Sequence, residues 1–317
     1  MSDNSSLLKI KQAYPLDMKE HFTMKAIKDY VAVYGIDGVY IPFSGGKDST
    51  VLIHIAWRMY KGLIEGVFSN TKNEYDSVVR QVARVKEWYG NIITVLPDDN
   101  IETVIEKHGY PVVSKKVSRM LRDITNPTPR NKASRTLYLT GVKQDGSISK
   151  SFKLAKKHHY LIDAPFKISE KCCDILKKKP LHEYEKRTKK KPILGTMAVE
   201  SESRKAAYNN HGCNNFKKGQ SMPLGFWTEQ DILEYILKYN LEIASVYGEI
   251  KRDENGKLYT TGEKRTGCVA CILGMEFERK CEKNRLQRLK EIEPKKYDYV
   301  INRLGFKKVL DYMGYKY

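Results

Sequence analysis

The stretch that decides the fold is Val39-Tyr40-Ile41-Pro42-Phe43-Ser44-Gly45-Gly46-Lys47-Asp48-Ser49-Thr50. Val39 to Phe43 is a short apolar run that predicts a buried strand. From Thr50 to Tyr60, Val51, Leu52, Ile55, Ala56 and Met59 recur on one face and predict a helix. Strand passes to helix through a Gly-Gly turn. The first N–H groups of a helix lack internal partners and lie at the positive end of its dipole, which suits an anionic phosphate. Gly45 and Gly46 let backbone approach a ligand with no Cβ in the way. Lys47 adds charge, Ser44 and Ser49 offer hydroxyls, and Asp48 can cap the helix or take part in metal binding. The string fits neither G-x-x-x-x-G-K nor G-x-G-x-x-G.

Outward from the loop, strands are expected at 63–68 and 92–96 and helices at 75–89, 101–107 and 117–124. Strands alternating with helices imply a doubly wound, mainly parallel α/β sheet covered on both sides. A helical segment fills 1–38. The nucleotide-binding α/β domain runs over 39–240, with a surface insertion near 126–151 and a hairpin at Gln144-Asp145-Gly146. A further core strand is expected at 192–197. A helix at 229–239 follows Thr228 as its cap. Residues 241–317 form a basic, helical, cysteine-bearing C-terminal region.

The 317 residues are 41% hydrophobic and 30% charged, a globular balance that excludes a disordered chain. No apolar stretch approaches the ~20 residues a membrane span needs. No secretory leader is evident at the start. A soluble cytoplasmic protein with no membrane partner is expected. The formal charge of +19 admits a nucleic-acid partner through a basic surface, although no recognition motif accompanies it. A homodimer is also admitted.

Six cysteines in such a chain are not expected to form a disulfide framework. Cys172 and Cys173 are adjacent, Cys268 and Cys271 form a C-x-x-C, and Cys213 and Cys281 stand alone. Two thiolate pairs converging on one soft centre suit structural zinc or a 4Fe–4S cluster. His158-His159 has no supporting ligand pattern and is expected at the surface.

The S-G-G-K-D-S string resembles the signature of the PP-loop (N-type) ATP pyrophosphatases, the adenine nucleotide alpha hydrolase-like superfamily. Four later segments narrow the likeness. Cys172-Cys173 through Lys177 to Pro180-Leu181 resembles the C-C-x-x-x-K-x-x-P-L element of the phosphoadenylyl sulfate (PAPS) and adenylyl sulfate reductase family. Gly195 to Arg204 is similar to its G-x-R-x-x-E-S-x-x-R segment, with Met197 in place of the arginine. Pro223-Leu224 with Trp227-Thr228 and Asp231-Ile232 resembles P-L-x-x-W-T-x-x-D-I, and Gly267-Cys268-Val269-Ala270-Cys271 resembles G-C-x-x-C. Gly109 to Lys115 is similar to a segment of related proteins. The matches run in family order from about residue 39 to 272.

The resemblance implies that Cys172, Cys173, Cys268 and Cys271 hold a 4Fe–4S cluster, its charge offset by Lys171, Lys177, Lys178 and Arg265. Cys213 or Cys281 is an alternative fourth ligand. It also implies a nucleotide site of Ser44, Gly45, Gly46, Lys47, Asp48, Ser49, Lys115, Arg204 and Lys205, with Lys47, Asp48 and Arg204 catalytic. Glu74 and Tyr75 close a segment at a strand end, where ligands gather in open α/β sheets.

Two departures separate this chain from the reductases. No cysteine follows Cys281, whereas they carry a nucleophilic cysteine in a C-terminal tail. The phosphate loop is intact, as in enzymes that split ATP. The leading expectation is an iron–sulfur enzyme that cleaves ATP to AMP and pyrophosphate with Mg²⁺, adenylating a substrate for sulfur transfer from a sulfur donor. The first alternative is a thiol-dependent reductase of PAPS or adenylyl sulfate, using Cys281, Cys213 or a thiol reductant protein and releasing sulfite. The second is a non-catalytic nucleotide and nucleic-acid binding module.

Overall fold

The computed structural model describes residues 2–317, with side chains from Ser6 onward. The chain divides into two compact units. The first gathers residues 1–70, 74–96 and 180–266, and the second 71–73, 97–179 and 267–317.

The first unit is built on four parallel strands, β1 (Val39–Phe43), β2 (Glu65–Ser69), β3 (Ile92–Val95) and β4 (Lys191–Pro192), in the order β3-β2-β1-β4. Two N-terminal helices, α1 (Ser2–Gln12) and α2 (Leu16–Tyr34), precede the sheet, where one helical stretch was expected. Helix α3 (Lys47–Tyr60) leads from β1 to β2, and α4 (Asp76–Tyr89) from β2 to β3. The strand order then reverses, because β4 lies on the other side of β1. Right-handed crossovers in opposite directions put helices on opposite faces, so the order is that of a doubly wound sheet. The parallel α/β class read from the sequence is the one that forms.

Pro42 sits in a central strand, where a missing N–H would normally break the ladder. Here β4 pairs only with Val39 and Tyr40 and ends before Pro42, so no ladder bond is lost. The strand expected over 192–197 is correspondingly short. After Pro192 the chain turns to bridge Ile193 with Ser221, and Leu194 N–H donates to Ser221 O at 2.7 Å.

The core of this unit packs Ile41, Phe43, Leu52, Ile55 and Trp227 from sheet and helices together. Trp227 is fully buried, and its indole N–H donates to Thr23 Oγ1 at 2.8 Å. Lys19 is buried as well. Its ammonium donates to Asp231 Oδ2 at 2.6 Å and to Gln12 O at 2.7 Å. Asp231 closes the cap of the helix Glu229–Lys238 by accepting from the N–H and hydroxyl of Thr228, the cap residue expected.

The second unit is helical. It includes α5 (Ile101–His108) and α6 (Lys115–Thr125), and its C-terminal helices bury Phe306, Val309 and Leu310. Tyr110 ties the two parts, its hydroxyl donating to Leu304 O at 2.9 Å and its ring meeting Phe306 edge-on. The insertion near 126–151 holds the expected tight turn, with Lys143 N–H donating to Ser147 O at 2.8 Å. It also holds a helix, Lys132–Thr140, within a stretch whose polar, Pro- and Gly-rich composition predicts irregular structure. His158 corrects another expectation: it is buried, with Glu276 Oε2 4.0 Å from its Nε2, while His159 is exposed.

Candidate functional site

The glycine loop follows β1 at the point where the strand order reverses, between β1 and β4. At this place in an open α/β sheet the neighbouring connections leave in opposite directions and open a crevice. Gly45 has φ +70°, and a Cβ there would meet Val82 Cγ2 at 2.8 Å and Val78 Cγ1 at 2.9 Å. Only glycine fits both requirements. Ser49 fastens the turn: its hydroxyl donates to Gly46 O at 2.9 Å and lies 3.1 Å from Ser44 Oγ.

Lys47 is 3% exposed. Its Nζ donates to Lys264 O at 3.0 Å, stands 3.5 Å from Asp48 Oδ1 and 3.4 Å from Glu229 Oε1, and lies 5.4 Å from the centre of the Tyr247 ring. The Lys47 backbone N–H donates to the Tyr247 hydroxyl at 3.2 Å, and that hydroxyl lies 2.9 Å from Thr266 Oγ1. Tyr247, Thr266, Lys264 and Glu229 therefore complete the loop; Glu229 lies inside the P-L-x-x-W-T-x-x-D-I element and Thr266 directly precedes G-C-x-x-C, but neither motif by itself assigns its residue to Lys47. Burial pushes the Tyr247 phenol up, so the group stays a neutral hydroxyl.

Asp48 does not cap α3; Gly46 holds the cap position without a side-chain bond. Its Oδ1 is buried and has no hydrogen-bond partner. Burial raises its pKa, the charge of Lys47 opposes that, and the nearby charges of Glu200 and Glu229 add to it. Glu200 also receives Arg204 as an ion pair and accepts from Met197 N–H at 2.8 Å, and Arg265 Nη1 stands 3.8 Å from it. Arg204 is thus oriented by a carboxylate at the start of the helix Glu202–His211, and Lys205 is half-buried next to it.

Lys115 belongs to the second unit, where it hydrogen-bonds Cys173. All four cysteines of the C-C and C-x-x-C elements lie in that unit, and Cys213 lies in the first. None of the six is in a disulfide. The thiols of Cys172 and Cys173 share a hydrogen bond, and the charges of Cys268 and Cys271 reach Cys172. A shared bond favours one thiolate over the other. Cys172 is pushed up, while Cys173 is drawn down to about 6 by that bond and by Lys115 and Lys177. Cys271 N–H closes the C-x-x-C turn on Cys268 O at 3.0 Å, and Thr71 Oγ1 lies 3.6 Å from Cys268 Sγ. Arg285 also borders the group, donating to Cys271 O at 3.3 Å. By contrast Lys178 is engaged by Asp174 at 2.7 Å, and Arg265 lies by Glu200. Among the described residues no group of three or more His, Cys, Asp or Glu is drawn tightly enough to hold a single metal ion. The donor set itself, four thiols bordered by Lys115, Lys177 and Arg285, fits an anionic thiolate-bound cluster.

A parallel α/β sheet with a glycine loop at its switch point defines the class: an α/β protein of the kind that binds ligands at strand ends. The particular family follows from comparison. Residues 38–151 and 132–273 match the model of the phosphoadenosine phosphosulfate reductase domain, and the chain belongs to that family, within the PP-loop superfamily. It is a family of enzymes with sulfonucleotide-related functions. The phosphoadenylyl-sulfate (PAPS) reductase of Candida auris, solved with phosphate, is similar at 12% identity and a TM-score of 0.41, over 74% of this chain and 89% of that one. No curated protein matches. Among the described residues no helix is long and apolar enough to cross a membrane.

Proposed function

We propose that the protein cleaves ATP between its α- and β-phosphates and adenylates an acceptor for sulfur transfer. The observation that carries this is the group formed by Lys47, Asp48 and Glu229 on the loop at the switch point. A buried ammonium beside the first turn of α3 offsets charge developing on a leaving pyrophosphate. Asp48 Oδ1, which accepts no hydrogen bond and has only the Lys47 ammonium 3.5 Å away, fits Mg²⁺, which takes one or two carboxylates and completes its shell with phosphate oxygens and water. When bound, that ion would supply Lewis-acid polarisation of the phosphates.

In the reaction an acceptor oxygen bonds to the α-phosphorus, the bond to the bridging oxygen breaks, and pyrophosphate leaves with the electron pair. Sulfur from a donor then displaces AMP from the activated position. Arg204, held by Glu200, serves as an anion clamp, with Lys205 next to it. Cys172, Cys173, Cys268 and Cys271 would hold the 4Fe–4S cluster, which would supply electron or sulfur chemistry. Lys115 hydrogen-bonds Cys173 and so also stands on the cluster side.

The family's name favours a second reading, reduction of PAPS or adenylyl sulfate by a thiolate. Burial pushes the Cys213 thiol up to about 11, which argues against it as the nucleophile. Cys281 is exposed and bordered by Arg279 and Lys280, so this reading rests on Cys281 or on a partner's thiol.

Anaerobic purification with iron and sulfide analysis, followed by assay of ATP and both adenylyl sulfates, separates the two. Pyrophosphate from ATP is expected, with loss of that activity in Lys47→Ala. Sulfite from a sulfated adenylate, with no pyrophosphate, would replace the first reading by the second. Zinc in place of iron would remove the cluster.

A further inference from the structure

The insertion carries a surface that the loop chemistry does not use. From Thr128 to Lys156 the chain has seven lysines and arginines against one acid, Asp145. Asp145 is turned onto its own turn, accepting from Ser147 N–H at 2.9 Å and Ser147 Oγ at 2.6 Å. Among the described residues none of the seven cations forms a salt bridge, whereas many lysines and arginines elsewhere do. Arg130, Lys132, Lys143, Lys150, Lys153 and Lys156 are exposed.

Apolar groups share this surface. Ile148 is 74% exposed and Phe152 44%, and Lys116 Nζ lies 4.8 Å from the Phe152 ring. The helix Lys132–Thr140 buries none of its residues. By helical spacing Lys132, Arg135 and Leu139 share one face, so cations and apolar groups are mixed rather than segregated. A membrane-surface helix needs its apolar residues collected on one side. Unpaired cations interleaved with an exposed ring and aliphatic side chains match a chain of phosphates carrying flat, unstacked bases.

We infer that residues 128–156 form a binding surface for single-stranded nucleic acid. Lys143, Lys150, Lys153 and Lys156 face the phosphates, and Phe152 offers its ring to a base. The inference stands apart from the reading of the glycine loop and needs no nucleotide hydrolysis.

The test uses the full chain and a fluorescein-labelled oligo-dT of twenty nucleotides, titrated by anisotropy at several NaCl concentrations. The wild type is expected to bind with a steep fall in affinity as salt rises. Lys150→Gln/Lys153→Gln/Lys156→Gln is expected to lose tenfold or more, with the slope of log affinity against log salt shallower by about 2. Phe152→Ser is expected to lose about fivefold or more with the salt slope unchanged, as for a lost stacking contact. The control Lys28→Gln/Lys217→Gln/Lys218→Gln removes three exposed cations from the other unit and is expected to change affinity less than threefold. An equal loss in the control makes the attraction diffuse and overturns the assignment. Equal affinity for the dT·dA duplex, no effect of Phe152→Ser, or capture by phosphatidylserine vesicles without oligonucleotide binding would each overturn it too.

Discussion

The backbone N–H of Lys47 points at the hydroxyl of Tyr247, 3.2 Å away and 200 residues later in the chain. A group that a phosphate oxygen would seek is therefore already answered by a neutral phenol, itself held 2.9 Å from Thr266. A nucleotide that takes this amide must first displace that hydroxyl. Tyr247→Phe removes it while keeping the ring under Lys47 Nζ. Nucleotide affinity by calorimetry is expected to rise about two- to tenfold, the worth of one net hydrogen bond. Weaker binding by the variant would mean that the phenol touches the ligand instead.

Gly45 cannot carry a side chain without moving α4. Gly45→Ala meets both a positive φ and two valine methyls closer than 3 Å. It is expected to lower stability by about 1–3 kcal/mol in urea unfolding and to lose nucleotide binding. Retention of both would show that α4 yields freely.

The Lys19–Asp231 pair is buried, and Asp231 also caps a helix. Asp231→Ala leaves a buried ammonium without its partner, and a loss of about 3–5 kcal/mol is expected. Lys25→Ala breaks an exposed pair with Asp29 and is expected to cost less than about 0.5 kcal/mol. Denaturant midpoints of the two variants compare them directly.

His54 gives stability a pH dependence. Its Nδ1 lies 2.9 Å from the Tyr235 hydroxyl, and burial first, then the charge of Arg58, draw its pKa down to about 4. The unfolded imidazole protonates near 6.5, the folded one near 4, so between those values the unfolded state holds more protons. Stability is expected to fall as pH drops from 6.5 to 4, by about 1–2 kcal/mol after solvent screening of its open edge. His54→Gln should flatten that part of the profile, read as melting temperature against pH.

Cys172→Ser tests the cluster separately from the loop. Iron and sulfide are expected to fall sharply after anaerobic purification while ATP affinity holds. Full iron retention by the variant would point to another ligand set.

Much of this was open to reading in one dimension because the signals were local. Val39–Phe43 announced itself by apolar run length, and Thr228 as a cap by its place before a periodic segment. The glycine loop was visible because its chemistry is contiguous. What could not be read depends on distance along the chain. Tyr247, Lys264, Thr266 and Glu229 reach Lys47 from about 180 to 220 residues away, and even the motifs that hold Glu229 or adjoin Thr266 do not say which distant side chain they will meet. Arg285 is one basic residue among many until the fold brings it to Cys271. His158 looked superficial because its neighbours are polar, yet the fold buries it beside Glu276. β4 is shorter than its apolar run predicts because Ile193 turns to bridge Ser221, which belongs to a distant hairpin.

The chain crosses between its two units five times, and the last crossing falls at 266/267. On the ribosome, Cys172 and Cys173 therefore emerge nearly a hundred residues before Cys268 and Cys271 can join them. The sheet unit likewise waits for 180–266 before β4 can pair. Neither half can be cut out as one continuous piece, and a nascent chain stopped anywhere before the late two-hundreds should be a substrate for chaperones and proteases rather than a folding intermediate with one working site.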